Sequence, residues 1–409
     1  MSSSHALAVG ASPHTGSAVS APLDRPRVVI FRATLLGRSE GYIRDQGEAL
    51  QAFEPWYVGC RREDGVDLPA ERRVVVNAGG MSGRLVEVVY KLTGIAPQFR
   101  RQLGHLAPAL VHAHFGPDAA LIMPFARTLR VPLVTTFHGY DATMADVHAR
   151  RSFFLHRRYL KRRAALQRQG SLFLAVSEFV RERLLAQGYP PDRTVVHYIG
   201  VRLDRFRPDR KVVREPIVLF VGRLSPEKGC VYLIRAMRRV QQECPQAELV
   251  VLGDGPLRAA LERFAQGNTS RCRFLGSVPQ EEVIAWMARA QVLCVPSIRL
   301  PSQQAEGFGL VFAEAEAMAL PVVSCAVGGI PEAIVHGETG LLGPERDEMM
   351  LGTHLVQLLR DPVARARMGE AGRRRAEQLF DSRTQTRALE GLYGRVVSNF
   401  DRDRNQAAG

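Results

Sequence analysis

The sequence predicts an α/β protein with two doubly wound, Rossmann-like domains that face each other across a cleft. Three observations support this fold class. The chain has 409 residues, which is too long for one ordinary hydrophobic core and indicates two domains. Short β-rich runs alternate with stretches of helix length, as in a parallel sheet covered on both faces. The same alternation restarts at Pro216, after a polar, proline-containing segment that is typical of a linker.

The chain begins with a segment that we exclude from the folded domains. Residues 1–24 are rich in Ser, Ala, Gly and Pro, and they contain neither an early basic region nor a continuous apolar run. We therefore expect a disordered tail and not a signal peptide. The predicted first domain covers 25–208 and the predicted second domain covers 213–382.

The strands are predicted from short runs rich in β-branched and aromatic residues. In the first domain these runs are RVVIF (27–31), VVVN (74–77), LVHAHF (110–115), PLVTTFH (132–138), LFLAVS (172–177) and TVVHYI (194–199). In the second domain they are IVLFVGRL (217–224), ELVVLG (248–253), CRFLG (272–276), VLCVPS (292–297) and PVVSC (321–325). Ligands of open parallel sheets bind beyond the carboxyl ends of the strands, so the residues that follow these runs are the candidates for chemistry.

Composition excludes several classes of protein. The chain is 46% hydrophobic and 23% charged, as in globular proteins. No apolar run reaches the roughly 18 residues that a spanning helix needs. The six cysteines are scattered without close pairs, which favours a cytoplasmic protein with buried, reduced thiols. His112 and His114 have no Cys or carboxylate cluster beside them, so we expect no metal site and give this pair a structural or ligand-contacting role.

The positive charge is concentrated in the first half of the chain. Residues 1–214 contain 32 Lys and Arg against 18 Asp and Glu, whereas 215–409 contain 23 of each. An anionic partner should therefore meet the first half. Within 150–169, a helical wheel places seven basic residues in an arc of about 140°. They are Arg150, Arg151, Arg157, Arg158, Lys161, Arg162 and Arg168. This helix face either lies on anionic lipid headgroups or is a solvated charged surface. Nucleic acid is disfavoured because the chain has no recognisable binding module.

A pair of cations follows the first strand of the second domain. Arg223 and Lys228 lie five residues apart in GRLSPEKG. A planar guanidinium and a mobile ammonium that converge on one group suit a diphosphate. The alternative is that both are solvated surface cations.

The stretch EGFGLVFAE, 306–314, has the composition of a nucleotide-sugar site. Gly307 and Gly309 leave room for backbone amides at the start of a helix to bind a phosphate. Glu306 and Glu314 would accept hydrogen bonds from sugar and ribose hydroxyls. The alternative for Glu314 is a surface carboxylate like its neighbour Glu316. The GDGP sequence at 253–256 lacks the rest of a dinucleotide motif and is better explained as a tight turn.

His138 ends a predicted strand in TTFHGYD, and Gly139 after it allows close backbone approach. A histidine there either donates to a sugar hydroxyl or a developing oxyanion, or it is structural. No spacing suggests a hydrolase triad.

These motifs together resemble the retaining glycosyltransferases of family four, which have the GT-B fold and use nucleotide-sugar donors. The resemblance extends from about Val28 to Tyr393. The segments that carry it include SEGYIRDQGEAL, VHAHFGPD, TTFHGYDAT, AVSEFVRERLL, VGRLSPEKG, EGFGLVFAEAEAMALPVVS and GGIPEAIVHGETGLL.

The resemblance implies a role for each matching residue. Arg223 and Lys228 would hold the donor diphosphate, Glu306 would face the donor sugar and Glu314 the ribose. The remaining implied donor contacts are Gly37, Ser277, Val278, Phe308, Gly309 and Leu310. The implied catalytic set is His138, Glu306, Arg223 and Lys228. Ser39, Glu40 and Asp141 would lie on the acceptor side.

The resemblance also implies the reaction. A sugar would pass from a UDP- or GDP-sugar to a glycan or lipid-linked acceptor with retention of anomeric configuration, without a metal, in surface-glycan biosynthesis at the cytoplasmic face of a membrane. A last helix, 383–400, would return to the first domain.

Three positions depart from the family pattern: Gly41 with Tyr42 in the acceptor loop, Arg202, and Ala319 where a glycine is usual. Two alternatives remain open at this point, a nucleotide-sugar epimerase and a non-enzymatic polyanion-binding protein.

Overall fold

A computed structural model describes residues 25–63, 65–151, 154–209 and 211–406. The predicted tail, 1–24, lies outside the described residues.

The first domain is built on a seven-stranded parallel sheet in the order β3-β2-β1-β4-β5-β6-β7. Its strands are β1 Arg27–Leu35, β2 Glu54–Arg62, β3 Arg73–Val75, β4 Leu110–His114, β5 Leu133–Phe137, β6 Leu172–Ala175 and β7 Thr194–Val196. Its helices are α1 Gly41–Glu48, α2 Gly80–Thr93, α3 Pro97–Leu106, α4 Gly116–Leu129, α5 Tyr140–Thr143, α6 Asp146–Ala149, α7 Phe154–Gln169 and α8 Glu178–Ala186. The order reverses direction between β1 and β4, and the cleft lies beyond that point.

The second domain repeats this plan with six parallel strands in the order β10-β9-β8-β11-β12-β13. The strands are β8 Glu215–Val221, β9 Glu248–Leu252, β10 Cys272–Gly276, β11 Ala290–Cys294, β12 Val322–Cys325 and β13 Gly340–Gly343. The helices are α9 Cys230–Glu243, α10 Arg258–Gln266, α11 Gln280–Arg289, α12 Leu310–Ala317, α13 Ile330–Ala333, α14 Glu348–Arg360, α15 Pro362–Leu379 and α16 Ser382–Gln406. The predicted fold class of two Rossmann-like domains is confirmed.

Two strands were not predicted from the sequence, β2 and β13. The β2 strand begins with Glu-Pro and ends with two arginines, so its apolar centre is short. Its Gly59 is required because a Cβ there would lie 2.5 Å from the carbonyl oxygen of Arg32 on β1. The β13 strand has only two apolar residues between two glycines. Sheet pairing, not local sequence, decides both strands.

The strands of the first sheet are buried on both faces, as parallel strands usually are. Alternate residues of β1 enter two different apolar clusters: Val29 and Phe31 face one, and Val28 and Ile30 face the other. The second cluster also contains Leu389, Tyr393 and Val396 of α16. The last helix thus packs on the first sheet.

Two segments run side by side between the domains. The amide of Val201 donates to Phe380 O at 2.6 Å, and the amide of Ser382 donates to Val201 O at 2.9 Å. Gly200 lies against this second segment, where a Cβ would be 2.4 Å from the Cα of Ser382. We keep 25–208, 213–382 and 383–400 as our assignment of the domains.

Candidate active site

Three histidines lie together in and after two neighbouring strands: His112 in the middle of β4, His114 at its end and His138 directly after β5. His112 Nδ1 is 2.6 Å from the hydroxyl of Tyr393 on α16, and its Nε2 is 2.7 Å from Thr136 Oγ1. His114 Nδ1 is 3.0 Å from His138 Nε2. Burial lowers the pKa of His112 to about 3 and the pKa values of His114 and His138 well below the ordinary range. These imidazoles are therefore neutral near pH 7.

The altered residue of the acceptor loop contacts the candidate catalytic histidine. Tyr42 OH lies 3.2 Å from His138 Nδ1, so both ring nitrogens of His138 have a partner, Tyr42 on one side and His114 on the other. A phenylalanine at position 42 would make no such bond. A sugar hydroxyl would have to replace one of these partners before it could bond to the His138 ring.

Asp141 holds the turn that follows β5. Its Oδ1 accepts the amides of His138 at 3.1 Å and Gly139 at 3.0 Å, and its Oδ2 accepts the amide of Gly116 at 3.0 Å. Burial raises its pKa to about 6 against the effect of these amides. Both oxygens face the protein backbone, so the geometry gives Asp141 a structural role in positioning His138.

An ion cluster, which we call the first-domain charge cluster, consists of the buried Asp118 and the partly buried Arg32 and Glu40. The Arg32 guanidinium pairs with both carboxylates and lies 4.3 Å from the centre of the Phe115 ring. Glu40 Oε2 also accepts the amide of Gly37 at 3.1 Å. Burial opposes the charge of Arg32, but the two carboxylates outweigh it and raise its pKa. Glu40 and Gly37 thus hold the acceptor loop against β1, while Ser39 beside them is exposed.

On the opposite side of the cleft, Lys228 and Glu306 are joined by an ion pair. Lys228 ends a 3-10 turn, Pro226–Lys228, in the loop between β8 and α9. Gly229 then has φ +65°, and a Cβ there would lie 1.9 Å from Pro296 O. The predicted cation and the predicted carboxylate are therefore brought together. Arg223 is exposed at the end of the same strand.

The turn before α12 has the geometry expected for anion binding. Gly309 has φ +81°, and a Cβ there would lie 2.5 Å from the Phe312 ring. Across the described residues, no acceptor is found for the amides of Phe308, Gly309 and Leu310. They form the positive amino end of α12. The Phe308 side chain is buried against Phe380, so only its backbone faces the cleft.

Glu314 and Glu316 differ sharply, although they lie two residues apart on α12. Glu314 is half-buried, and burial raises its pKa to about 7. Glu316 is fully buried with the Arg375 guanidinium 4.0 Å from its carboxylate, and burial raises its pKa to about 8 against the effects of Thr339 and Arg375. The comparison of Glu314 with a surface carboxylate like Glu316 was wrong, because Glu316 is a core residue.

Two candidate residues, Ser277 and Val278, and the GDGP turn lie at the edge of the second domain. Ser277 is exposed and Val278 is partly buried against the core, directly after β10. At the GDGP turn, a Cβ on Gly253 would lie 1.9 Å from Gly222 O, and Asp254 pairs with Arg258. The structure thus agrees with the tight-turn interpretation of GDGP.

The two domains meet where the His138 turn contacts the Glu306 turn. A Cβ on Gly307 would lie 2.3 Å from His138 O and 2.8 Å from the Cα of Gly139. The hydroxyl of Ser177 donates to Gly307 O at 2.6 Å. Glu332 accepts the amides of Glu178 and Phe179 at the start of α8, at 2.6 and 2.8 Å. The candidate catalytic turns therefore adjoin across the cleft.

Sequence reasoning missed Arg32, Ser177, Glu332 and the contact of Tyr42. Arg32 had a detectable signal, since a lone charge inside the run RVVIFRATL is unusual for a buried strand. Ser177 and Glu332 lie in quoted motifs, but their contacts span 130 and 154 positions of sequence and had no local signal.

Helix α7 carries part of the basic face that the sequence predicted. It begins at Phe154, after Arg150 and Arg151. Arg158 is buried and donates through Nη1 to the carbonyl oxygens of Lys91 and Leu92 at 2.5 and 2.8 Å. Most of the predicted face is open to solvent: the exposed residues are Arg150, Arg151, Arg157, Lys161 and Arg168, and Arg162 is half-buried. No described helix is both long enough and apolar enough to span a membrane.

Comparisons with known proteins agree with this geometry. Residues 202–375 match the model of glycosyl transferases group 1, and residues 40–205 match the model of glycosyltransferase family 4. The chain is 32% identical to a GDP-mannose-dependent α-(1-6)-phosphatidylinositol monomannoside mannosyltransferase of Mycolicibacterium smegmatis, over 74% of this chain and 80% of that protein. It is 30% identical to the amylovoran biosynthesis glycosyltransferase AmsK of Erwinia amylovora, over 69% of each chain.

Solved structures share the fold. Sucrose-phosphate synthase of Thermosynechococcus elongatus superposes with a TM-score of 0.73 at 22% identity, over 92% of this chain and all of that one. Anabaena HepE in complex with UDP-glucose superposes with a TM-score of 0.72 at 20% identity, over 90% and 99% of the two chains. These matches favour a transferase over the epimerase and polyanion-binding alternatives. With two adjoining Rossmann-like domains and family models matching both, this chain belongs to the group 1 glycosyltransferases of the GT-B fold.

Proposed function

We propose that this glycosyltransferase moves a sugar from a UDP- or GDP-sugar to a glycan or lipid-linked acceptor, with retention of anomeric configuration and without a metal. The observation that carries the proposal is the contact between the His138 turn and the Glu306 turn, beside the Lys228–Glu306 pair. The groups of the second domain that would bind the phosphates and the sugar hydroxyls thereby lie next to the His138 turn of the first domain.

The donor would be held by separate groups for its separate parts. Lys228, Arg223 and the amides of 308–310 would bind the diphosphate, and the positive end of α12 would stabilise the charge on the departing nucleoside diphosphate. Glu306 would exchange its bond to Lys228 for hydroxyls of the sugar. Glu314 would accept from the ribose, with Ser277 and Val278 beside the base.

If the configuration is retained, the carboxylates on the first-domain side of the cleft argue against a double displacement through an enzyme-bound sugar. Asp141 is bound by three backbone amides, and Glu40 and Asp118 are both bound to Arg32. None of the three is placed to attack a sugar. We infer that the acceptor attacks from the face that the diphosphate leaves, and that a phosphate oxygen takes the acceptor proton.

The relatives suggest the classes of donor and acceptor. GDP-mannose is named for the mycobacterial relative together with a phosphatidylinositol acceptor, and amylovoran biosynthesis is named for AmsK. We therefore place this chain in the synthesis of a cell-surface glycan or glycolipid at the cytoplasmic face of a membrane.

A donor screen tests the proposal. We expect calorimetry to show binding of UDP or GDP without added metal, in the presence of EDTA. The matching nucleotide sugar should then be hydrolysed slowly, and proton NMR of the released or transferred sugar should show the anomeric coupling of the donor. An inverted product would contradict retention, and binding that requires a divalent metal would contradict metal independence. If neither nucleotide binds, the donor assignment fails.

A further inference from the structure

One helix of the first domain, α2, presents its apolar side to solvent. A helical wheel places five large apolar side chains of α2 within an arc of about 100°. They are Met81, Leu85, Val88, Val89 and Leu92, which are exposed by 88%, 66%, 52%, 39% and 56%. Ile95, just after the helix, is 63% exposed. We call this set the α2 apolar stripe. Large exposed apolar patches mark interaction surfaces.

The opposite side of α2 fixes this orientation. Tyr90 is fully buried in ring contact with Phe99 and Phe125. Glu87 accepts from Asn77 at 2.8 Å and pairs with Lys91. A rotation that turned the stripe inward would expel Tyr90 from this cluster, so the outward stripe belongs to the packed structure of the domain.

Basic side chains surround a cavity at the carboxyl end of α2. The cavity has a volume of about 670 Å³ and an apolar wall that includes Ile95, Phe125 and Leu129. Arg100, Arg101 and Arg162 also line it. The apolar wall and the guanidinium groups of this cavity suit the two parts of a phospholipid. Its phosphate would bind the arginines, and its acyl chains would contact the apolar side chains.

Helix α7 joins the stripe to further positive charge. Buried Arg158 donates to the last carbonyl oxygens of α2, and this bond holds α7 against the end of the stripe. Arg157 and Lys161, on either side of it, are exposed. Part of the predicted basic face thus lies next to the apolar stripe, in the half of the chain that carries the whole excess of positive charge.

We propose that the α2 apolar stripe inserts into the interface of a bilayer containing anionic phospholipid, with a lipid headgroup at Arg100, Arg101 and Arg162. Interfacial helices bury an apolar face at the acyl boundary while basic residues meet anionic headgroups. The membrane contact then centres on α2, and α7 contributes only its exposed residues. This inference does not depend on which sugar is transferred.

Vesicle flotation of the full chain tests the proposal. We expect binding to phosphatidylcholine vesicles that contain phosphatidylglycerol, and weak binding to phosphatidylcholine alone. Leu85→Asp should lower partitioning about tenfold or more, since it removes a large apolar side chain from the interface. Arg100→Ala with Arg101→Ala should lower it several-fold at low salt, and this difference should shrink at high salt.

A matched control distinguishes the stripe from exposed apolar residues in general. Val363 on α15 of the second domain is 76% exposed, so Val363→Asp makes the same kind of change elsewhere and should leave flotation unchanged. Leu85 is 66% exposed, so Leu85→Asp should keep the melting temperature and the nucleotide binding measured without vesicles. A failure of flotation is thereby separated from a failure of the donor site.

Three outcomes would overturn the inference. Flotation that is unaffected by Leu85→Asp would reject the stripe as the contact. Equal binding to phosphatidylcholine alone would reject the anionic headgroup. A chain that does not float, but changes from dimer to monomer in sedimentation on Leu85→Asp, would show that the stripe binds a second copy.

Discussion

Two groups of charged residues face each other across the cleft, and their bonding differs. In the first-domain charge cluster, Arg32 pairs with Glu40 and Asp118, and both carboxylates accept backbone amides as well. In the second domain, Lys228 and Glu306 have only each other as charged partners in the part of the chain that the structure describes. Beside them are an exposed Arg223 and the backbone amides of 308–310, which have no acceptor among the described residues.

The difference separates a scaffold from a binding site. Charges that are paired with each other and with backbone amides fix the backbone around them and leave little to bind a ligand. A single ion pair beside amides that have no acceptor among the described residues can exchange its bond for a diphosphate and hydroxyls. Whether a charged group has a binding role therefore depends less on its charge than on the hydrogen-bonding positions around it that the protein leaves unoccupied. Substitutions at Arg32, Glu316, Lys228, Glu306 and Ala319 test this contrast.

The largest effect is expected at Arg32. Arg32→Met would leave Asp118 buried and without its cation, and breaking a buried pair in this way costs about 3–5 kcal/mol. We expect this loss of unfolding free energy in urea titration, with nucleotide binding retained in the folded fraction. Arg202→Met is the control. Arg202 pairs with Asp204 at the surface, where such pairs contribute about 0–1 kcal/mol. Equal losses of unfolding free energy in Arg32→Met and Arg202→Met would show that the first-domain charge cluster is no more important to stability than a surface pair.

Glu316 provides a pH-dependent test. Its folded pKa is raised by burial to about 8, from an ordinary value of 4.5, so the folded state binds the proton more tightly. Its contribution is fully present below pH 4.5 and is lost as pH rises toward 8. Glu316→Gln removes this titration, so its stability relative to the natural chain should rise by about 3 kcal/mol between pH 5 and pH 8. A constant difference across urea titrations at those two pH values would contradict the buried titration.

How much the sequence could predict depends on how local each feature is. The alternation of strands and helices predicts both domains. The motifs GRLSPEKG and EGFGLVFAE also predict residues that lie together in the structure, since Lys228 of the first pairs with Glu306 of the second. Burial of Glu316 was not predictable from its acidic neighbourhood, because it depends on α15 packing over α12, where Gly372 lies against its side chain. The outward orientation of the apolar stripe of α2 likewise depends on the packing of Tyr90. The pattern of apolar residues alone does not show which side of the helix is buried.

The second-domain cluster is tested at Lys228. Lys228→Ala removes a charge-assisted bond to the diphosphate, which contributes about 1.5–3 kcal/mol, so nucleoside diphosphate affinity should fall about 10- to 100-fold in calorimetry. Lys211→Ala, an exposed lysine in the linker, should leave affinity unchanged. Glu306→Gln should retain nucleotide binding and lose sugar transfer. Unchanged affinity in Lys228→Ala would reject the diphosphate assignment.

The smallest expected effect comes from Ala319, at the far end of the helix whose start forms the proposed phosphate site. Ala319 follows α12 with φ +49°, in the left-handed region that costs a residue with a Cβ about 1–2 kcal/mol. Ala319→Gly should therefore stabilise the protein by about 1 kcal/mol, after the entropy of glycine in the unfolded chain is subtracted. Ala260→Gly, on the exposed face of α10, should have the opposite sign, because a helical glycine is destabilising.

The informative result is the pair of measurements on Ala319→Gly. If the amides at the start of α12 form a binding site separate from the scaffold, melting temperature should rise while nucleotide affinity stays unchanged. If affinity changes in step with stability, then strain at Ala319 is transmitted along α12 to Gly309. In that case the glycine usual at this position and the alanine here would set different donor affinities, and the separation of scaffold from binding site would fail within this helix.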